Sequence, residues 1–157
     1  MKCPSCGAAN LEGADECESC RLPLSRQVPD AERRILEGRV ADLSPKAART
    51  ISPSRGVLEA IEAMRREKIG CLLVLDGQKL AGVLSERELV TGGQDFDKAS
   101  VRDLMRPPAA AVLNEDDSVA DAFHGMAVTG QRHLPIRLKA GGYGVVSARD
   151  LLRYLCA

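Results

Sequence analysis

Aromatic residues are scarce in this sequence, which has two tyrosines, two phenylalanines and no tryptophan among 157 residues. Proteins that bind single-stranded nucleic acid stack bases on aromatic side chains, so this scarcity disfavours a base-stacking platform. A charge excess is also absent, because 22 basic residues balance 22 acidic ones. Sequence-independent binding depends on Lys and Arg that neutralise phosphates, and nucleic acid is therefore a disfavoured partner.

Long apolar runs are missing too. The longest, residues 71–75 and 109–113, fall far short of the roughly 20 residues that a membrane-spanning helix needs. No apolar signal-peptide core follows the N-terminus, so we expect a cytoplasmic protein with no membrane partner. The hydrophobic fraction of 45% is typical of soluble globular chains, and the length suits one domain with a small appendage.

Motifs of common enzyme classes are absent as well. The sequence contains neither a P-loop nor a nucleophile elbow. His124 and His133 are the only histidines, and they show no ligand spacing or catalytic dyad. We therefore expect a protein that is not an enzyme.

Four cysteines near the N-terminus form two Cys-x-x-Cys pairs, Cys3 with Cys6 and Cys17 with Cys20. Two such turns supply the tetrahedral set of four sulfurs that Zn²⁺ favours, and Gly7 permits the positive φ angle of a tight turn. Disulfides are the alternative in a secreted protein, whereas redox pairs occur singly in a βαβ setting. The paired spacing favours zinc, and a site with four protein ligands is structural rather than catalytic.

Residues 1–24 resemble the short zinc ribbons found at the ends of many prokaryotic proteins, with Arg21 where a second glycine is usual. Lys2 and Arg21 are the basic residues of this segment, against four acidic ones. A zinc ion held by four thiolates would leave further negative charge, so the segment should repel phosphates. We interpret it as a folding module or as a contact site for a protein partner.

An internal repeat follows a linker at residues 25–39, in which Asp30 and Gly38 bracket a predicted short helix. Residues 51–95 align without a gap with residues 113–157, and nine of the 45 positions are identical where composition alone predicts about three. The identical pairs are Val57/Val119, Ala60/Ala122, Met64/Met126, Leu72/Leu134, Gly82/Gly144, Val83/Val145, Ser85/Ser147, Arg87/Arg149 and Leu89/Leu151. The two units indicate a duplication rather than a solenoid.

Each unit predicts the order β-α-β-β-α. A short extended stretch precedes a helix with apolar residues at helical spacing, and two strands joined by a glycine turn lead to a second helix. For the first helices, we predict caps at Ser52 or Ser54 in one unit and at Asn114 or Asp116 in the other. The fold class is therefore α+β.

This duplicated pattern resembles the cystathionine-β-synthase (CBS) domain, and the two copies resemble a tandem pair, or Bateman module. The resemblance lies in residues 82–88 (GVLSERE), 144–150 (GVVSARD) and 131–136 (QRHLPI). It implies a pseudo-symmetric pair of CBS repeats at residues 40–95 and 100–157, preceded by the zinc ribbon.

The resemblance implies a cleft that binds adenosyl compounds such as AMP, ADP, ATP or S-adenosylmethionine at up to two sites, each shared between the repeats. Ser147 and Asp150 carry the full motif, and they would face Ser44, Ile69 and Gly70 of the first repeat. A serine at a helix start offers a hydroxyl group and free backbone N–H groups, and a carboxylate three residues later can accept hydrogen bonds from a ribose diol.

The second implied site contains Ser85, Glu88, Met105, Arg132 and His133. Because the Glu side chain is longer than the usual Asp, we expect this site to be the weaker one. Phosphates would face Arg132 and His133 at this site, and Lys46 and Arg49 at the stronger one. Helix capping alone would also account for the Ser and acidic residues of both sites.

We therefore expect a cytoplasmic regulatory protein that senses an adenosyl ligand and signals to a partner, and that forms a homodimer through its helices. The alternative is a structural adaptor in which the nucleotide sites are vestigial and the zinc ribbon contacts other proteins.

Overall fold

The computed structural model describes residues 1–3, 5–22, 24, 30–93, 95–108 and 112–156. Residues 25–29 of the predicted linker and residue 157 of the second repeat lie outside these ranges. The helices are α1 (Asp30–Glu37), α2 (Val57–Glu67), α3 (Glu86–Thr91), α4 (Val101–Leu104), α5 (Val119–Thr129) and α6 (Ala148–Leu155), with a 3₁₀ helix at Val40–Leu43. The strands are β1 (Lys46–Ala47), β2 (Thr50–Ile51), β3 (Cys71–Asp76), β4 (Lys79–Ser85), β5 (Leu113–Asn114), β6 (His133–Arg137) and β7 (Tyr143–Ser147).

The two repeats have the same element order, which confirms the predicted β-α-β-β-α pattern and the α+β class. The first repeat follows the order β2-α2-β3-β4-α3, and the second follows β5-α5-β6-β7-α6. In α2, the apolar residues Val57, Ala60 and Met64 recur every three or four positions and are all buried. Strand β3 begins with four consecutive buried residues, since both of its faces are covered.

Each repeat forms its own sheet. In the first, β2 pairs in parallel with β3, and β3 pairs antiparallel with β4. In the second, β5, β6 and β7 are paired in the same way, and β1 adds a fourth strand beside β7. Strand β1 lies in the chain just before β2, the first strand of the first repeat. The segment that leads into the first repeat therefore contributes its strand to the sheet of the second repeat.

The segment that leads into the second repeat crosses over in the opposite direction. We call residues 38–49 and 99–108 the first and second leading segments. Arg106 of the second leading segment bridges Val83 of the first repeat, with both backbone hydrogen bonds at 2.9 Å. The repeats have therefore exchanged their leading segments, and each sheet is completed by the other half of the chain.

The hydrophobic cores show the same exchange. Val101 and Leu104 of α4 are buried against α2, β3 and β4 of the first repeat. Val40 and Leu43 of the 3₁₀ helix are buried in the core of the second repeat. A third cluster, built around the buried residue Leu73, packs against residues of both repeats. Each repeat therefore needs buried residues from the opposite leading segment to complete its core. Because apolar burial is the main stabilising term, neither repeat has a complete core of its own.

The structure corrects the predicted start of α2. The N-cap is Gly56 and the helix begins at Val57, so the prediction of Ser52 or Ser54 was wrong. The two serine hydroxyl groups contact each other at 3.0 Å in the turn before the helix. The backbone N–H of Val57 donates to the carbonyl of Ala99 at 3.0 Å, so the second leading segment provides the acceptor at this helix start.

The predicted start of α5 was wrong for the same reason. Neither Asn114 nor Asp116 caps this helix, and the N-cap is Ser118. The backbone N–H of Val119 donates to the carbonyl of Gly38 at 2.9 Å. Here the first leading segment docks at the helix start, as the second one does at α2.

Helix α1 matches the helix predicted in the linker and ends before Gly38. The guanidinium group of Arg34 donates to the carbonyl of Tyr154 at 2.6 Å and lies 5.9 Å from the centre of its ring. A Cβ atom on Gly38 would clash with the Arg34 carbonyl and the Tyr154 hydroxyl. The linker helix is therefore attached to α6 of the second repeat through a close approach that requires glycine.

Several helices keep apolar residues on their outer faces. Leu58 of α2, Phe123 of α5 and Leu152 of α6 are each at least half exposed. Among the described residues, no helix is both long and apolar enough to cross a membrane.

The exchange of leading segments predicts which repeat a core substitution destabilises. Leu43 is 5% exposed, and Leu43→Ala should lower the free energy of unfolding by about 2–5 kcal/mol. Hydrogen exchange should accelerate in β6 of the second repeat before it does in β3 of the first. Leu36→Ala, at a residue 66% exposed, is the control and should change stability by less than about 0.5 kcal/mol. Earlier loss of protection in β3 would contradict the exchange.

Candidate functional sites: the cysteine cluster and the cleft

The four N-terminal cysteines converge on one point, as the paired spacing predicts. Their sulfur atoms all lie within 4.8 Å of one another. The Cys3 and Cys20 sulfurs are 3.6 Å apart, as are those of Cys6 and Cys17. In a tetrahedral site with Zn–S bonds of roughly 2.3 Å, neighbouring sulfurs are about 3.8 Å apart. The cluster therefore fits a zinc ion held by all four cysteines.

The two Cys-x-x-Cys turns have matching backbone geometry. The N–H of Gly7 donates to the carbonyl of Cys3 at 3.0 Å, and the N–H of Arg21 donates to the carbonyl of Cys17 at 2.8 Å. Gly7 has a φ of 73° and Arg21 a φ of 61°. Arg21 thus adopts the left-handed conformation of the glycine that it replaces, at some cost in backbone strain.

Asn10 connects the two turns. Its side-chain amide donates to the carbonyl of Ala8 at 2.9 Å, and its side-chain oxygen accepts from the N–H of Glu18 at 3.1 Å. The backbone N–H of Asn10 also donates to the carbonyl of Met1 at 2.8 Å. The role of Asn10 was not predicted from the sequence, because an asparagine between two cysteine pairs carries no distinctive spacing signal.

The thiol groups differ in acidity. The pKa of the Cys17 thiol is lowered to about 6, chiefly because the backbone N–H of Cys20 donates to it. The backbone N–H of Leu22 favours the Cys20 thiolate and would by itself lower its pKa. Contacts of the Cys20 sulfur with Cys6, burial, and contacts with Cys3 and Cys17 outweigh this effect and raise the pKa of Cys20 to about 12. Negative charge on one sulfur therefore opposes ionisation of the next. A divalent cation would remove that opposition.

The cleft between the repeats contains a cavity of about 450 Å³ around Ser85, which we call the Ser85 cavity. Ser85, Glu88, Arg132 and His133 of the predicted weaker site all line it. Met105 does not line it and instead packs against the core of the first repeat. Because Ser85 and Glu88 come from the first repeat and Arg132 and His133 from the second, the cavity is shared as expected.

Both carboxylate oxygens of Glu88 already have partners. One accepts from the backbone N–H of Ser85 at 3.0 Å and from the Ser85 hydroxyl. The other pairs with Nε of Arg106 at 2.9 Å. Glu88 is only 8% exposed, so its pairing with Arg106 offsets the cost of burying a charge. Sequence reasoning missed Arg106, which reaches the cavity because the second leading segment crosses to the first repeat.

A second cavity, of about 650 Å³, surrounds Ser147, and we call it the Ser147 cavity. Ser147, Ile69 and Gly70 line it, so the structure brings together three residues of the predicted stronger site. Asp150 and Ser44 are not among the lining residues.

Lys46 and Arg49, the predicted phosphate contacts, also lie outside the Ser147 cavity. Lys46 is in β1, opposite Val145 of β7. The Nε atom of Arg49 pairs with a carboxylate oxygen of Glu67 at 3.1 Å. The cations that line this cavity are instead Arg65 of α2, Lys68 at the C-cap of that helix, Arg132 before β6 and Arg149 of α6.

Ser147 and Asp150 form a capping box at the start of α6. One Asp150 oxygen accepts from the backbone N–H of Ser147 at 2.9 Å and from its hydroxyl at 2.6 Å. Ser118 and Asp121 form the same arrangement at the start of α5, with distances of 3.2 and 2.6 Å, and neither lines a cleft cavity. The Ser-x-x-Asp motif therefore has a capping role at both helices, and ligand binding would be an additional role.

The two cavities share a wall formed by Gly70, Glu86, Arg132 and His133. A Cβ atom on Gly70 would lie 3.4 Å from Nε2 of His133, so Gly70 and the imidazole ring are close neighbours in this wall. Burial lowers the pKa of His133 below its usual value, although Glu86, Asp150 and Glu88 act in the opposite direction. At neutral pH the imidazole is therefore mainly uncharged.

Cys71 begins the strand that follows Gly70 and is buried. Burial raises the pKa of its thiol to about 12, with smaller contributions from Glu86 and Glu88. The thiol is therefore protonated at neutral pH and behaves as a small apolar side chain.

Two comparisons with solved structures support the fold. The chain is similar to the CBS domain protein NE2398, with a TM-score of 0.68 and 24% sequence identity over 76% of this chain and 98% of that one. It is also similar to CBSX2, which was crystallised in complex with AMP, with a TM-score of 0.60 and 25% identity over 73% of this chain and 93% of that one.

Sequence comparisons lead to the same family. An uncharacterized 17.7 kDa protein of Acidianus ambivalens is 32% identical over 120 residues, which cover 74% of this chain and 73% of that protein. The family model of the CBS domain matches residues 40–93 and again residues 101–157. The resemblance seen in the motifs is therefore confirmed, and the chain belongs to the CBS domain family as a tandem pair.

Proposed function

We propose that this chain is a regulatory protein that binds an adenosyl ligand, such as AMP, ADP, ATP or S-adenosylmethionine, in the cleft and signals its presence to a partner. The observation that carries the proposal is that Ser147 and Ile69-Gly70, from different repeats, line one cavity. A ligand there would contact both halves of the chain, and it would stabilise their relative arrangement by binding energy. The complex of the related CBSX2 with AMP supports this ligand class.

The proposal assigns the cysteine cluster a structural zinc ion. Cys3, Cys6, Cys17 and Cys20 would provide all four ligands, and the ion would neutralise thiolates that otherwise repel one another. Helix α1 packs on the second repeat, so the cluster is connected to the sensor by residues 24–29 and this helix. A protein partner that binds the cysteine-cluster region would read out the state of the cleft.

The alternative function is an adaptor whose nucleotide sites are vestigial. The specific observation in its favour is the pairing of Glu88 with Arg106, which occupies the carboxylate oxygen that the cap leaves free. Asp150 has a weaker contact of this kind with Arg153, at 3.4 Å. The pairing therefore favours a vestigial nucleotide site more strongly for the Ser85 cavity than for the Ser147 cavity.

CBS-pair proteins commonly form dimers, and we propose a homodimer here. Phe123 of α5 and Leu58 of α2 occupy outer helix faces and are 51% and 50% exposed. A symmetric contact would bury such faces.

The zinc proposal predicts one ion per chain and a local effect of ligand loss. Cys17→Ser should release the ion and unfold residues 1–24, whereas the melting of the CBS pair should barely change because its cores contain no residue of that segment. Elemental analysis and thermal melting of the full chain would measure both effects. Wild-type protein without zinc, or with a disulfide in non-reducing mass spectrometry, would refute the assignment.

Ligand binding and helix capping by Asp150 can be separated with a matched variant. Asp150→Ala should weaken the binding of an adenine nucleotide by about 10- to 150-fold, the range expected for a charge-assisted hydrogen bond. Asp121→Ala removes the same capping box from α5 and should leave binding unchanged. Glu88→Ala should also change binding little, because Arg106 already occupies that carboxylate.

Titration calorimetry would measure these affinities. Unchanged affinity in Asp150→Ala would show that Asp150, which does not line the Ser147 cavity, acts only as a cap, and a larger loss in Glu88→Ala would reverse the order of the two sites. If the parent binds no adenosyl ligand, the adaptor function is the correct one.

Light scattering at micromolar concentration should show a particle of twice the 16.8 kDa chain mass. Phe123→Glu places a charge on the outer face of α5 and should yield monomers. Leu11→Glu changes an exposed apolar residue of the cysteine-cluster region and should leave the dimer intact. A wild-type monomer at every concentration, or dissociation by Leu11→Glu alone, would be inconsistent with a dimer formed through the helices.

A further inference from the structure

Helix α1 lies on the second repeat through one of its faces. Ala31, Arg34 and Ile35 recur at helical spacing and are half-buried, whereas the other described side chains of this helix are exposed. The helix contacts both α5 and α6. Because a helix of two turns is not stable alone in water, α1 depends on this packing for its structure.

Arg34 attaches α1 to the C-terminal end of α6. Its guanidinium group donates to the carbonyl of Tyr154 at 2.6 Å and lies 5.9 Å from the centre of the Tyr154 ring. Tyr154 is in the last turn of α6, where the carbonyl groups have no partner within the helix. The helix dipole also favours a cation at this end. Arg34 therefore caps α6 from outside that helix.

Gly38 makes this contact sensitive to position. Its N–H donates to the carbonyl of Arg34 at 3.0 Å, and its carbonyl accepts from the N–H of Val119, the first residue of α5, at 2.9 Å. A Cβ atom on Gly38 would clash with the Tyr154 hydroxyl. We call Arg34, Gly38 and Tyr154 the α1 contact. Because close-packed groups tolerate little displacement, a helix shift of about 1–2 Å would break it.

Helix α6 connects the α1 contact to the cleft. Ser147, Ala148 and Arg149, at the N-terminal end of α6, line the Ser147 cavity. Leu151, in the middle of the helix, is buried in the core of the second repeat. Tyr154 lies roughly 10 Å further along the helix axis than Ser147. Since a short helix shifts as one body, a displacement at the cavity is passed on to Tyr154.

We propose that ligand binding in the Ser147 cavity is coupled through α6 to the docking of α1, and that the docked arrangement is the one that binds ligand. This inference rests on the proposed function and names the route from the cleft to the cysteine-cluster region, which precedes α1 in the chain. The ligand and α1 would hold opposite ends of one helix in the same position, so each favours the binding of the other.

Hydrogen exchange of the full chain, with and without saturating AMP or ATP, measures the docking of α1. Exchange of the α1 amides reports local opening of this helix, which depends on docking rather than on unfolding of the whole chain. We expect either ligand to slow this exchange by at least about fivefold. Exchange at Gly77, in the turn between β3 and β4, should not change, because this residue lines neither cavity.

Two variants weaken the α1 contact by different routes. Arg34→Ala removes the cap of α6, and Gly38→Ala places a methyl group against the Tyr154 hydroxyl. In both, the α1 amides should exchange faster than in the parent without ligand. Because coupling is reciprocal, the affinity for AMP or ATP in titration calorimetry should fall by about three- to fivefold.

Arg66→Ala is the matched control for the loss of an arginine. Arg66 is an exposed residue of α2 and lines neither cavity, so this variant should bind the ligand as the parent does. Thermal melting of each variant would show that the fold is retained. Helix capping without coupling would speed the exchange of α1 in Arg34→Ala and leave the ligand affinity unchanged.

The outcomes separate this inference from the function on which it rests. If a ligand binds but α1 exchange does not respond, or if both contact variants bind as tightly as the parent, the coupling is wrong and adenosyl binding stands. An equal loss of affinity in Arg66→Ala would also overturn the coupling. Tighter binding by Arg34→Ala would show that the undocked arrangement binds ligand, which contradicts the stated direction. If the parent binds no adenosyl ligand, both are wrong.

Discussion

The exchange of leading segments between the repeats is the constraint on which the other features depend. Val40 and Leu43 complete the core of the second repeat, and Val101 and Leu104 complete that of the first. Removing either segment would expose apolar surface on the opposite half, so the two halves stabilise each other. The same exchange carries Arg106 into the cleft and sets the start of α2 and α5. The arrangement of residues in the cleft therefore depends on the same exchanged segments that complete the two cores.

Duplication has produced two cavities with related frameworks and different electrostatics. Ser85 and Ser147 occupy equivalent positions, and each forms a capping box with the acidic residue three positions later. At the first, the longer Glu88 reaches Arg106 and is buried, whereas Asp150 remains partly exposed. Because a capping box also occurs at helices outside the cleft, the motif itself does not define a ligand site. The surrounding charges distinguish the two cavities.

The sequence predicted features that depend on local pattern. The four-cysteine cluster and the element order follow from spacing and periodicity, which are properties of neighbouring residues. The tandem CBS pair was identified from the resemblance of its repeated motifs to a known family. The caps of α2 and α5 were mispredicted because their starts depend on contacts with Ala99 and Gly38, which are distant in sequence. Arg106, Arg65 and Lys68 were missed for the same reason, since only the folded chain brings them to the cleft.

The central claim is that one ligand contacts both repeats in the cleft, and nuclear magnetic resonance of the isotope-labelled full chain would test it most directly. During titration with AMP or ATP, the backbone amide signals of Gly70 and Ser147 should shift together and saturate at the same ligand concentration. Those of Gly77, in the turn between β3 and β4, should stay in place. Unchanged signals at both Gly70 and Ser147 under saturating concentrations of every adenosyl ligand would contradict the account.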